Sequence, residues 1–134
     1  MPLQVQLVSP EQVLFDGEAE MVVCTTTEGE LAFLPGHVPF VGALGVAKVR
    51  ILTEGGGEEV AAVHGGFVEV SHDRVIILSD VAELPHHIDA ERARRAHERL
   101  THLAQTGTDD DPENAEALKR ANLRMDVYEY FTRK

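Results

Sequence analysis

The hydrophobic positions along the chain follow two different periods, which change near residue 85. Before that point apolar and polar residues mostly alternate, as in Leu3–Leu7, and segments such as Met21–Thr26 and Ala47–Leu52 are rich in β-branched residues. Both features are typical of strands. Turn signals separate these segments, including Ser9-Pro10, Asp16-Gly17, Pro35-Gly36 and His72-Asp73. Short strands between regularly spaced turns predict an all-β sandwich over residues 1–85.

After residue 85 the apolar residues recur at three- and four-residue steps, which is the period of a helix. Asp89 stands where an N-cap is expected, and Gly107 stands where the first helix should end. A second helix is predicted to begin at Pro112, because proline favours the first helical position. Two helices joined by a short polar turn predict an antiparallel helical hairpin over residues 86–134. Its apolar stripe is mostly alanine, so the hairpin buries little surface.

The distribution of charge changes at the same place as the hydrophobic period. The chain has 23 acidic and 12 basic residues and a net charge of −11. Residues 1–85 hold 13 of the acids and only 3 of the bases, whereas residues 86–134 are nearly balanced. Non-specific nucleic-acid binding depends on cationic contacts to phosphate, so a nucleic-acid partner is not expected.

Several classes of chemistry are disfavoured by what the sequence lacks. Its one cysteine, Cys24, excludes an intramolecular disulfide and a multi-cysteine zinc site, and its place in a β-branched segment predicts a small buried side chain. The longest uncharged run, Leu31–Ala47, is too short and too interrupted by proline and glycine to span a bilayer. With no signal peptide recognisable, a reducing cytoplasm is the expected compartment. No P-loop, nucleophile elbow or metal-ligand spacing is found, which predicts a non-enzymatic chain without a metal or a required cofactor.

Four sequence blocks occur in an order that points to one family. Leu14–Gly17 (LFDG) is followed by Glu28–Pro39 (EGELAFLPGHVP), His64–Val70 (HGGFVEV) and Ile88–Ala93 (IDAERA). In this order they resemble the epsilon subunit of the bacterial F-type ATP synthase, which has a β-sandwich followed by a helical hairpin. The resemblance covers nearly the whole chain.

The resemblance implies a non-catalytic subunit of the central stalk, which couples proton flow to ATP synthesis and regulates ATP hydrolysis through a mobile hairpin. The implied partners are the gamma subunit and the c-subunit ring for residues 1–85, and the catalytic alpha and beta subunits for basic residues of the hairpin. The implied location is the cytoplasmic side of the cell membrane, where the complex would hold the chain peripherally. The alternative is a free-standing nucleotide-binding sensor, which the full-length resemblance disfavours.

The uncharged run Leu31–Ala47 is interpreted as a loop-like apolar contact surface. On the residues alone, packing into the sandwich core is the more frequent role for such side chains. The resemblance places the equivalent segment near the c ring. It implies interface roles for four residues of this region: Glu30, Phe33, His37 and Phe40.

The segment Ile88–Ala93 has two interpretations. From the residues alone, Asp89 caps the first helix and Arg92 covers its first turn. Several members of the family bind ATP between the hairpin and the sandwich, and the resemblance implies that Asp89 faces the adenine or ribose and Arg92 the phosphates. Ile88 and Ala93 would then form apolar walls, charge adds Arg99 and Arg124 as candidates, and Glu83 is a candidate contact to the base. ATP is therefore expected as a regulatory ligand.

Overall fold

The structure is a computed structural model that describes residues 2–26, 28–106 and 112–132. The backbone forms two compact units, Met1–Leu84 and Pro85–Lys134. The first unit contains seven strands: β1 Leu3–Val8, β2 Val13–Ala19, β3 Met21–Thr26, β4 Gly29–Phe33, β5 His37–Leu52, β6 Glu58–His72 and β7 Arg74–Glu83. The second unit contains a short 3-10 helix, Pro85–His87, and two helices, α1 Ala90–Thr106 and α2 Pro112–Thr132.

The strands form one hydrogen-bonded sheet with the order β2-β1-β7-β6-β5-β3-β4. All neighbouring strands are antiparallel except β1 and β7, which are parallel. Leu3 and Val5 of β1 share one buried cluster with Val22 and Cys24 of β3, although three strands separate β1 from β3 in the sheet. The sheet must therefore fold over into two facing layers, which confirms the predicted β-sandwich.

The bend between the layers lies at one level of three neighbouring strands. The ladders of β5, β6 and β7 are interrupted at Gly45, Gly65 and Asp80. Gly65 and Gly66 have φ angles of +85° and +132°, which glycine adopts without strain. A Cβ atom on Gly66 would collide with the carbonyl oxygen of Leu78. The two glycines of the HGGFVEV block are therefore required by the bend.

The uncharged run at residues 31–47 is not a loop, contrary to the prediction. β4 ends at Phe33 and β5 begins at His37, so only Leu34–Gly36 lies outside the strands. Pro39 is tolerated because the β5–β6 register is irregular between His37 and Phe40, where no ladder bond requires a proline amide. Pro35-Gly36 forms the predicted turn, whereas Pro39, Gly42 and Gly45 lie within β5, where proline and glycine gave a misleading turn signal.

The second unit contains the two predicted helices. The backbone amide of Arg92 donates a hydrogen bond to Oδ1 of Asp89 at 3.0 Å, which confirms Asp89 as the N-cap of α1. α2 begins at Pro112, as predicted, and packs against α1. The predicted helix end at Gly107 lies outside the described residues. Within the described ranges, neither helix combines the length and apolar character needed to cross a bilayer.

Candidate functional site

The turn between β4 and β5 is fixed by contacts to other parts of the first unit. The amide of Gly36, which has a φ of +80°, donates a hydrogen bond to Oδ1 of Asp73 at 2.9 Å. The ring of His37 meets the ring of Phe33 edge to face, with centroids 5.3 Å apart, and its Nδ1 lies 2.7 Å from the carbonyl oxygen of Val38. These contacts give the PGH segment a defined conformation.

The structure separates the four predicted interface residues into inner and outer positions. The side chain of Phe33 is only 2 % exposed and belongs to the core. Phe40 packs against Phe33 at 5.8 Å between ring centroids and is half-buried, as is His37, whereas Glu30 is exposed. The apolar side chains that face outward here are Leu31, Leu34, Val38 and Val41, and we call them the β4–β5 surface. A partner would meet this surface before it could reach Phe33.

A second apolar surface, which was not predicted from the sequence, crosses the outside of the sheet. The strand registers place Val13 beside Val8, Val8 beside Leu78, Leu78 beside Phe67, and Phe67 beside Ala43. These five residues, which we call the outer row, cross five strands. Phe67 is 57 % exposed and Leu78 is 52 % exposed. Exposed apolar side chains in one continuous line are typical of a protein contact surface.

Part of the signal for the outer row was present in the sequence. Phe67 alternates with buried Val68, and Leu78 alternates with buried Ile77, so both strand patterns place a large apolar residue on the outer face. The parallel pairing of β1 with β7 could not be read from the chain. Without that register there was no reason to align Val8 with Leu78.

The predicted nucleotide-binding residues lie in both units, and the structure brings together those of the first turn of α1. Asp89 and Arg92 meet through the Asp89 carboxylate and the Arg92 amide, so the guanidinium of Arg92 takes no part in this contact. Ile88 and Ala93 are buried, Arg92 and Arg99 are exposed on α1, and Arg124 is half-buried on α2. Arg92 and Arg99 are seven residues apart and share a helix face.

Glu83, at the end of β7 in the first unit, has a partner that was not predicted from the sequence. Its Oε1 atom lies 2.8 Å from Nε2 of His64 on β6. His64 is 8 % exposed, and its Nδ1 has no hydrogen-bond partner among the described residues. Glu83 is therefore oriented from within the sandwich.

Comparison with known proteins agrees with this architecture. Residues 2–85 match the family described as "ATP synthase, Delta/Epsilon chain, beta-sandwich domain". The ATP synthase epsilon chain of Shouchella clausii is 44 % identical over 125 residues, which cover 93 % of each chain. The chain belongs to the ATP synthase epsilon chain family. The epsilon chain of Halalkalibacterium halodurans is similarly related, at 45 % identity over 93 % of this chain and 96 % of the relative.

Solved structures show the same fold at lower sequence identity. A chain in the Euglena gracilis mitochondrial ATP synthase, solved as OSCP/F1/c-ring, matches with a TM-score of 0.77 and 22 % identity over 98 % of this chain and 81 % of that chain. At this identity the match supports the fold alone. As an epsilon chain, the protein is a non-catalytic subunit of the ATP synthase complex.

Proposed function

We propose that this epsilon chain works in the central stalk of its ATP synthase, where it couples proton flow to ATP synthesis through protein contacts. The outer row is the observation that supports this proposal most directly. It places large apolar side chains on a sheet face, at positions where they add nothing to the core of the first unit. Family membership makes the other subunits of the complex the natural partners for that face.

We assign the outer row to the gamma subunit and the β4–β5 surface to the c-subunit ring. The two surfaces share only β5, which contributes Val38 and Val41 to one and Ala43 to the other. The rest of the outer row lies on β1, β2, β6 and β7, so we propose a separate partner for each surface. Residues 1–85 carry a large excess of acidic residues, and basic groups at the rims of both partners would complement that charge. A Tetrahymena thermophila structure described as central stalk and c-ring, at a TM-score of 0.58 and 15 % identity, has a chain of the same fold. In this assignment the complex holds the chain at the cytoplasmic side of the cell membrane.

For the hairpin we propose contact with the catalytic alpha and beta subunits and regulation of ATP hydrolysis. Two basic residues of α2 form ion pairs on their own helix, Lys119 with Glu116 at 3.3 Å and Arg120 with Glu113 at 3.0 Å. Exposed pairs of this kind are worth about 1 kcal/mol or less, so exchanging them for acidic groups of a partner costs little. The charge on α2 is therefore available to a competing surface.

ATP is the proposed regulatory ligand of the hairpin. Arg92 and Arg99 present two guanidinium groups on one exposed face of α1, and guanidinium groups bind phosphate through paired hydrogen bonds. The N-cap role of Asp89 does not compete with this use of Arg92, because the cap contact involves only the backbone amide. Arg124 and Glu83 stay predicted contacts of the ligand.

The assignment of the outer row is tested by adding one charge to it. Wild-type chain, Phe67→Asp and the control Gln105→Asp are each mixed with ATP synthase depleted of its epsilon subunit. We expect Phe67→Asp to melt like the wild type and to bind at least about 30-fold more weakly, because an aromatic anchor is replaced by a buried charge. Gln105→Asp adds the same charge at an exposed position of α1 and should bind normally. Normal binding of Phe67→Asp would contradict the assignment.

A further inference from the structure

Asp73 joins three separate parts of the first unit. It stands in the tight turn between β6 and β7, directly after His72, whose φ of 54° is left-handed. Its Oδ1 atom accepts a hydrogen bond from the Gly36 amide, 37 residues away in sequence, at 2.9 Å. Its carbonyl oxygen accepts a second hydrogen bond from the amide of Gln4, at the start of β1, at 2.6 Å. One residue thus connects the β4–β5 turn, the β6–β7 turn and β1.

The segment Leu34–Gly36 depends on this contact for its orientation. It lies between two strands and makes no ladder bonds, and the other hydrogen bond described for it is local, from the His37 amide to the Leu34 carbonyl at 3.2 Å. Gly36 adopts a positive φ, so the direction of its amide is set by a backbone conformation that other residues rarely adopt. The carboxylate of Asp73 is a charged acceptor, which makes the hydrogen bond stronger than one between neutral groups.

We propose that Asp73 is a positioning residue for the β4–β5 surface. It holds Leu34 and Val38 in the orientation that the partner binds, and it ties them to the strands that carry the outer row. Without the Asp73 contact, Leu34–Gly36 samples other conformations. The segment then has to become ordered when the partner binds to the β4–β5 surface. Ordering a loop on association lowers affinity even when every contact residue is present. This inference rests on the proposed role of the β4–β5 surface as an interface.

The experiment compares three replacements of Asp73 in the full chain. Asp73→Asn keeps an oxygen acceptor at the same position, Asp73→Ala removes it, and Asp73→Glu keeps the charge but displaces the acceptor by one methylene. Three quantities are measured for each variant. They are the exchange rate of the Gly36 amide by NMR, the melting temperature, and the affinity for ATP synthase depleted of its epsilon subunit.

For Asp73→Ala and Asp73→Glu we expect the Gly36 amide to exchange about tenfold faster or more, and the affinity to fall about tenfold. The melting temperature should change little in Asp73→Glu, which provides the folded comparison if Asp73→Ala is unstable. Asp73→Asn keeps the acceptor oxygen without its charge, so it should retain most of the exchange protection and most of the affinity. If the Gly36 amide is deprotected while the affinity stays at the wild-type value, or if Asp73→Asn loses as much protection and affinity as Asp73→Ala, Asp73 does not position the surface.

Val38→Asp separates failure of this inference from failure of the proposed interface. Val38 is 71 % exposed, so a charge there should leave the fold and the Gly36 exchange rate unchanged while weakening binding. If Val38→Asp binds normally, the β4–β5 surface is not the interface, and the roles proposed for the surface and for Asp73 are both rejected. If Val38→Asp binds weakly but the Asp73 variants bind normally, only the role of Asp73 is rejected.

Discussion

The Nε2 atom of His64 lies 2.8 Å from the Oε1 atom of Glu83, across the pairing of β6 with β7. Within the described residues the second ring nitrogen of His64 has no hydrogen-bond partner, although the side chain is buried. An unpaired Nδ1 that carries no proton costs less free energy in a buried position than an unpaired N–H group would. This favours the tautomer of His64 that has its proton on Nε2. In that tautomer His64 donates to Glu83 and fixes the carboxylate as an acceptor.

Replacing His64 with valine should destabilise the chain. The substitution leaves Glu83 without the imidazole donor, and we expect the free energy of unfolding to fall by about 1–3 kcal/mol. Urea unfolding followed by circular dichroism measures this change. His64→Gln can still place an N–H group toward Glu83 and should lose less than His64→Val. Equal losses in the two variants would mean that packing, and not the hydrogen bond, accounts for the effect.

Burial of Cys24 should make the chain less stable at alkaline pH. Burial raises the pKa of its thiol from the ordinary 9.0 to about 12. Above pH 9 the unfolded chain releases a proton that the folded chain retains, so stability falls as the pH rises toward 12, by up to about 1.4 kcal/mol per pH unit. Between about pH 8 and about pH 10.5, the wild type should lose about 2 kcal/mol more than Cys24→Ala. Parallel losses in both proteins would show that the thiol is accessible in the folded state.

The proposed ATP site is tested by replacing one of two neighbouring arginines. Arg92→Ala should weaken ATP binding at least about tenfold in isothermal titration, because a charged hydrogen bond to phosphate is lost. Arg94→Ala is the matched control, because Arg94 contacts Glu91 and Glu98 and lowers the pKa of Glu91 through its hydrogen bond. It should bind ATP like the wild type.

If the wild type does not bind ATP, the role of Ile88–Ala93 is only to begin a helix. Regulation by the hairpin would then depend on its charge alone. Both arginine variants should also keep the wild-type melting temperature in the absence of nucleotide, since both side chains are exposed. If a variant has a lower melting temperature than the wild type, the substitution has destabilised the hairpin. Its affinity for ATP then cannot be used to test the proposed ATP site.

The sandwich should fold without the hairpin. A chain ending at His87 keeps all seven strands and the core cluster of the first unit. We expect a β-type circular dichroism spectrum and a single cooperative thermal transition. An unfolded or aggregated fragment would show that the sandwich requires the helices.

Patterns among neighbouring residues predicted the strands and helices of this chain better than they predicted which side chains lie on its contact surfaces. The period of Leu3–Leu7 and the N-cap at Asp89 depend on near neighbours, and both predictions are confirmed by the structure. The role of Phe33 depends on which face of β4 meets the core, so apolar composition alone could not distinguish an interface residue from a core residue. Phe67 required the registers of four other strands before its exposed neighbours could be seen.

The contact between Asp73 and Gly36 also could not be predicted from the sequence. Both residues were recognised as parts of turns, and turn residues at separate positions carry no information about each other. The two residues are 37 positions apart, with all of β5 and β6 between them, and only the folded sandwich brings the two turns together. Similarly, the Gly-Gly pair at Gly65 could be matched to a motif, but the bend that requires it could not be derived from the chain.

The bend at Gly45, Gly65 and Asp80 has a mechanical consequence for the sandwich. Because β5 and β6 continue through it, the two layers are joined by covalent backbone as well as by contacts between apolar side chains. Sliding one layer over the other would require breaking hydrogen-bonded ladders in several strands at once. A twisting load applied to one layer is therefore transmitted to the other through the continuous backbone of β5 and β6.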